Sequence, residues 1–154
     1  MTQKSFFIYW SPVVLWMGVI FWMSSETFSA DETSSVLVPI LNLLMPWITP
    51  EGIEIVHNVI RKLGHVSEYF VLGLLLFRAF CGTRANPEVY KCMLYSLIVL
   101  MIYALSDEFH QSFVQTRTAA FADVGLDTIG GILSQTMISV RRSLKRQSTC
   151  RKTE

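Results

Sequence analysis

The sequence predicts an all-α integral membrane bundle of four transmembrane helices, with a short interfacial segment in the first outer loop. Three observations carry that reading. Hydrophobic residues make up 51% of the chain and mean hydropathy is +0.41, which by itself only leans towards a membrane protein. Those residues are gathered into four blocks separated by charged stretches. The basic residues, finally, alternate between connections in the pattern of a chain that crosses a membrane repeatedly.

The first block, Phe6 to Met23, is an 18-residue run without a charge, about the minimum for a spanning helix. Trp10 and Trp22 near its ends suit the interfacial aromatic belts. Only Lys4 precedes it and no small-x-small cleavage site follows closely, so it reads as a retained helix rather than a cleaved signal. Val36 to Ile48 is shorter and broken by Pro39 and Pro46. It is expected to lie in the interface or over the mouth of the bundle. Thr49 followed by Pro50 is a strong helix start, with Thr as cap and Pro at the first position. A long second spanning helix is expected from about Pro50 through Phe80. Cys81 to Lys91 is a connector broken by Gly82, Asn86 and Pro87. The third helix starts near Cys92 and carries Asp107, Glu108 and Gln111 on its outer turns. The fourth runs from about Ala119 to Val140, with Gly130 and Gly131 in its middle suited to close helix packing. Residues 1–140 form the membrane domain and 141–154 a basic cytoplasmic tail, solvated or resting on anionic lipid.

Orientation follows from the basic residues. Lys4, Arg78, Arg84, Lys91 and the six after Val140 make ten of the thirteen, against two acids, Glu88 and Glu154. The other side holds Arg61, Lys62 and Arg117 against the remaining ten acids. Both termini are therefore expected in the cytoplasm. Net charge is +1 and gives no reason to expect nucleic acid. Cys81, Cys92 and Cys150 have no metal or redox spacing and read as incidental thiols.

That topology gathers the unusual polar residues at one level. Arg61, His65, Glu68 and Leu72 form one stripe of the second helix. Ionisable groups at membrane depth are costly, so the stripe should face the bundle interior and mark a functional site. Asp107 and Gln111 share a face, as do Asp123 and Asp127. Ser24, Ser25 and Glu26 end the first helix on the same side. Plainer roles compete: Asp123 suits a helix start whatever the function, and pairing with Arg61, Lys62 or Arg117 is a purely structural use for Glu68. Five candidate acids, Glu68, Asp107, Glu108, Asp123 and Asp127, face three cations, Arg61, Lys62 and Arg117. A proton, a cation, an imidazolium at His65 or water must offset the surplus. His65-x-x-Glu68 has workable ligand spacing but no second His on its helix, so no metal or other cofactor is assigned. No nucleophile motif or phosphate-binding loop is present.

Three motifs resemble the VanZ-like family of small bacterial membrane proteins. They are Arg61-Lys62-x2-His65-x2-Glu68-Tyr69-x2-Leu72-Gly73, Asp107-Glu108-x2-Gln111-x-Phe113-x3-Arg117, and Asp123-x3-Asp127-x2-Gly130. The chain departs from the family pattern at Glu26, Asp127 and Ser134. The resemblance implies work at the cell envelope in the bacterial inner membrane, and its namesake is linked to teicoplanin-type glycopeptide resistance. Three functions follow. In the first, a binding protein rather than an enzyme, Arg61, Lys62 and Arg117 meet an anionic lipid-linked cell-wall intermediate or lipoglycopeptide, and the acids and Gln111 orient them. In the second, an intramembrane enzyme uses His65 or Glu68 as acid/base, with or without a metal. In the third, a proton-coupled carrier titrates Glu68. Membrane lipids are expected partners in all three; the oligomeric state is left open.

Overall fold

The structure, a computed structural model, describes residues 3–24, 30–113 and 121–150. Among these residues there are five helices: α1 (Gln3–Met23), α2 (Ala30–Leu44), α3 (Pro50–Gly82), α4 (Val89–Gln111) and α5 (Phe121–Cys150). There is no strand among the described residues.

Helix α3 starts where the sequence places it. The Thr49 hydroxyl accepts from the Gly52 amide at 3.2 Å and Pro50 opens the first turn. Its 33 residues give a rod of about 50 Å, longer than the roughly 30 Å hydrocarbon core. Helix α2 begins inside the acidic stretch and runs through Pro39, although that proline removes one helical hydrogen bond. Its 15 residues reach only about 22 Å, so it cannot span. Helix α5 continues well past Val140, and the basic segment is helical through Cys150. Arg141 to Gln147 contains no Pro or Gly to end it.

Helices α1, α3 and α4 contain spans long and apolar enough to cross a membrane. Helix α5 has the length but carries Asp123, Asp127, Gln135 and two adjacent arginines, and is not among the apolar spans. The four-crossing expectation is therefore met in three helices on composition.

Cross-contacts fix the direction of each helix. Trp10 packs on Phe80 at 5.1 Å, and Trp16 Nε1 donates to the Glu68 carbonyl at 2.9 Å, so α1 and α3 are antiparallel. Tyr103 OH donates to the Met17 carbonyl at 2.6 Å, and Phe21 lies 4.3 Å from the His110 ring, so α1 and α4 are parallel. Helices α3 and α5 are also parallel. Arg61 meets Asp123, His65 meets Asp127, and the Gly73 carbonyl accepts from Gln135, always 62 residues apart. These contacts cover 12 residues of α3, or about 18 Å.

The core is held by Val13, Ile20, Tyr69, Leu72, Leu76, Leu100 and Ala104, all buried. Between helices in lipid there is little hydrophobic drive, so close packing through small residues has to hold them. A Cβ on Gly130 would strike the Val66 carbonyl of α3, and one on Gly131 would lie 2.8 Å from Leu100 of α4. The glycine pair therefore lets α5 wedge against both neighbours. At the opposite end of the bundle the free thiols of Cys81 and Cys92 lie within electrostatic reach of each other across the α3–α4 connector, a proximity their sequence spacing does not announce.

Candidate functional site

One end of the bundle carries a polar cluster built from four helices. Its first half joins α1 to α4. The Ser24 hydroxyl donates to Asp107 Oδ2 at 2.8 Å, and Gln111 Nε2 reaches the same oxygen at 3.0 Å and Ser24 Oγ at 3.2 Å. All three residues are buried, and so is Glu108 on the same turn. Asp107 and Gln111 can share one oxygen because four residues return the helix to the same face. The second half joins α3 to α5. His65 Nδ1 lies 3.1 Å from Asp127 Oδ1, and Arg61 Nη2 lies 3.7 Å from Asp123 Oδ2. Side-chain exposure grades from 0% at Asp127 through 8% at His65 to 28% at Arg61, so the mouth lies at the Arg61 end.

Tyr69 sits between the halves. It is one helical turn beyond His65, fully buried, 6.2 Å from the Tyr103 ring and within electrostatic reach of both Asp107 and Asp127. The carboxylates of Asp107 and Asp127 also feel each other. Glu68 is half-buried and acts electrostatically on His65, Tyr69 and Tyr103.

The structure thus brings together Arg61, His65, Glu68, Asp107, Glu108, Gln111, Asp123 and Asp127. Lys62 is exposed, one residue off the Arg61–His65 stripe and so about 100° around the helix from Arg61. Arg117, Ser25 and Glu26 lie outside the described residues. No group of three or more His, Cys, Asp or Glu side chains with metal-binding geometry occurs among the described residues. Two contributors were not assigned to the site from the sequence. Tyr69 stands there only as a member of the family motif on the second helix, although its spacing of four from His65 was visible. Gln135 lies deep in α5, eight residues past Asp127, and its amide donates to the Gly73 carbonyl at 3.2 Å.

A family model described as VanZ/LLP1 matches residues 7–142, from the second turn of α1 to the basic stretch of α5. The chain belongs to the VanZ/LLP1 family. Neither a curated protein nor a solved structure matches it. All three VanZ-like motifs fall within the matched residues, and in the structure they meet: the α3 and α5 motifs pair directly, and the α4 motif closes on Ser24. The three apolar helices agree with a VanZ-family protein of the membrane.

Ser24 is the cheapest point at which to test the α1–α4 half. Ser24→Ala leaves buried polar partners with one contact fewer, a loss of about 1–3 kcal/mol. A lower melting temperature in detergent is expected, with most of it restored by Ser24→Thr, which keeps a hydroxyl.

Proposed function

We propose that this VanZ/LLP1-family protein crosses the bacterial cytoplasmic membrane four times, with both termini inside and the polar cluster open to the outer face. There it binds an anionic lipid-linked cell-wall intermediate or a lipoglycopeptide. The parallel register of α3 and α5 supports α5 as the fourth crossing, because paired residues share one depth. With its polar face against α3, α5 turns Ile129, Ile132 and Leu133 outward, a surface suited to lipid. The asymmetry of basic residues supports the orientation.

The observation that carries the binding reading is Arg61. It stands at the rim of a buried cluster, part-exposed, held on one side by Asp123 at 3.7 Å. A guanidinium has five N–H donors, and one such contact leaves several for a phosphate or carboxylate. Lys62 lies next to it in sequence and is exposed. Purified protein in nanodiscs is expected to bind undecaprenyl pyrophosphate, and Arg61→Gln to weaken that binding at least about tenfold, the loss of one charge-assisted contact. Unchanged affinity in Arg61→Gln would remove the proposal. A susceptibility assay with and without the protein tests the glycopeptide branch directly.

A second reading rests on the His65–Asp127 pair. A carboxylate on one imidazole nitrogen orients the ring and leaves the other nitrogen to move a proton. In that reading the site acts on the lipid-linked intermediate with His65 as base and Asp127 as its orienter. Hydrolysis of the bound lipid by native protein, absent in Asp127→Asn, would favour it over simple binding.

A further inference from the structure

We propose that the end of the bundle opposite the polar cluster holds one anionic phospholipid, with its phosphate at Arg84 and Lys91 and an acyl chain along α4. The site is separate from the cluster and stands whatever the cluster binds.

The face of α4 that receives the lipid is a continuous stripe. Lys91, Tyr95, Ile98, Ile102 and Leu105 follow at spacings of four, three, four and three, which keeps them on one side of the helix. The last four are between 37% and 60% exposed, so the described helices leave them open to lipid. From Tyr95 to Leu105 the helix rises about 15 Å, half of the roughly 30 Å hydrocarbon core and so the depth of one leaflet. Tyr95 marks the headgroup level. Its ring lies 5.8 Å from Phe80 of α3, whose ring lies 5.1 Å from Trp10 of α1. Such an aromatic layer belongs at a membrane–water boundary.

The charges stand at the top of this stripe in fixed positions. The guanidinium carbon of Arg84 is 4.9 Å from the centroid of the Tyr95 ring. Its backbone is held as well. Thr83 donates to the Ala79 carbonyl from its amide at 3.1 Å and its hydroxyl at 2.7 Å, and the Arg84 amide donates to the Cys81 carbonyl at 3.4 Å. Lys91 lies one turn before Tyr95 on the same face. Glu88 is the only acid at this end among the described residues. Its Oε1 accepts from Lys91 Nζ at 2.7 Å, and it lies within electrostatic reach of Arg84.

Two cations against one carboxylate leave a single positive charge, and a phosphodiester brings a single negative one. A guanidinium that stacks through its face keeps its N–H edge for phosphate oxygens. The rest of the headgroup must add no cation, because Arg84 and Lys91 would repel it. That selects a glycerol-type headgroup over choline or ethanolamine. A free phosphate would meet the charges but leave the apolar stripe bare, so the stripe assigns the phosphate to a lipid.

The test uses full-length protein in nanodiscs of equal phosphatidylglycerol and phosphatidylcholine, with the lipid retained after release counted by native mass spectrometry. Phosphatidylglycerol is expected to be retained at least about tenfold over phosphatidylcholine, the effect of one charge-assisted contact. Arg84→Gln and Lys91→Gln each bring the site to zero net charge, and each should lose most of that preference. Arg141→Gln with Arg142→Gln removes two exposed charges of α5 away from the stripe, and should leave the preference within about twofold. Glycerol phosphate added in solution should not displace the lipid. Equal retention of the two lipids, or a preference that survives either single substitution, would overturn the proposal. So would an equal loss in the α5 pair, which means diffuse attraction to a basic end, or displacement by glycerol phosphate, which means a phosphate site that needs no lipid.

Discussion

Gly130→Ala is expected to lower the melting temperature of the detergent-solubilised protein by on the order of 5 °C, corresponding to about 1–3 kcal/mol of overpacking. The new methyl group would meet backbone atoms of α3 on two sides, the Val66 carbonyl and the Phe70 amide nitrogen, the latter at 3.1 Å. Backbone cannot rotate away as a side chain can, so α3 and α5 must separate, and the paired residues at the cluster separate with them. Gly64→Ala is the matched control. It lies in the same helix pair, has nothing within 4 Å of its added methyl group, and replaces a poor helix former with the best one. The control should be neutral or stabilising. Circular dichroism melts of the two variants decide the matter, and equal tolerance would mean the helices do not approach this closely.

The second large effect lies in the His65–Asp127 pair. Both side chains are buried, so removing one strands its partner at a cost of about 3–5 kcal/mol. Asp127→Ala and His65→Ala are each expected to destabilise strongly, while the double variant should cost clearly less than their sum. A coupling energy between about 1 and 3 kcal/mol is expected from a four-member unfolding cycle in mixed micelles. The Arg61–Asp123 pair is the contrast. It is longer, at 3.7 Å, and part-exposed, so its coupling should stay below about 1 kcal/mol. Equal couplings for the two pairs would contradict the burial gradient along the cluster.

Much of this was legible in the residues, for identifiable reasons. The cap at Thr49–Pro50 and the lack of any further proline up to Phe80 set the limits of α3 to within a few residues. The spacing of Arg61, His65 and Glu68 announced an inward polar stripe, and the Asp123–Asp127 spacing announced its match. Other features were hidden. Helix α2 runs through Pro39, which as a local signal argues for a break. Helix α5 passes Val140 because a change from apolar to basic composition alters the surroundings of a helix without ending it. Tyr69 could not be told from the apolar residues after it, since a phenol is apolar over most of its surface. Its role depends on which carboxylates stand opposite, and those arrive from other helices. The meeting of Cys81 and Cys92 depends in the same way on how the connector folds.

The fixed offset between α3 and α5 also has a consequence in time. A chain made at about 5–20 residues per second presents Asp123 and Asp127 some 3–12 s after Arg61 and His65. During that interval α3 holds a cation and an imidazole whose partners have not been synthesised. The α3 member of each pair is thus made before its α5 partner, and α5 is the piece that completes the cluster rather than an appended one.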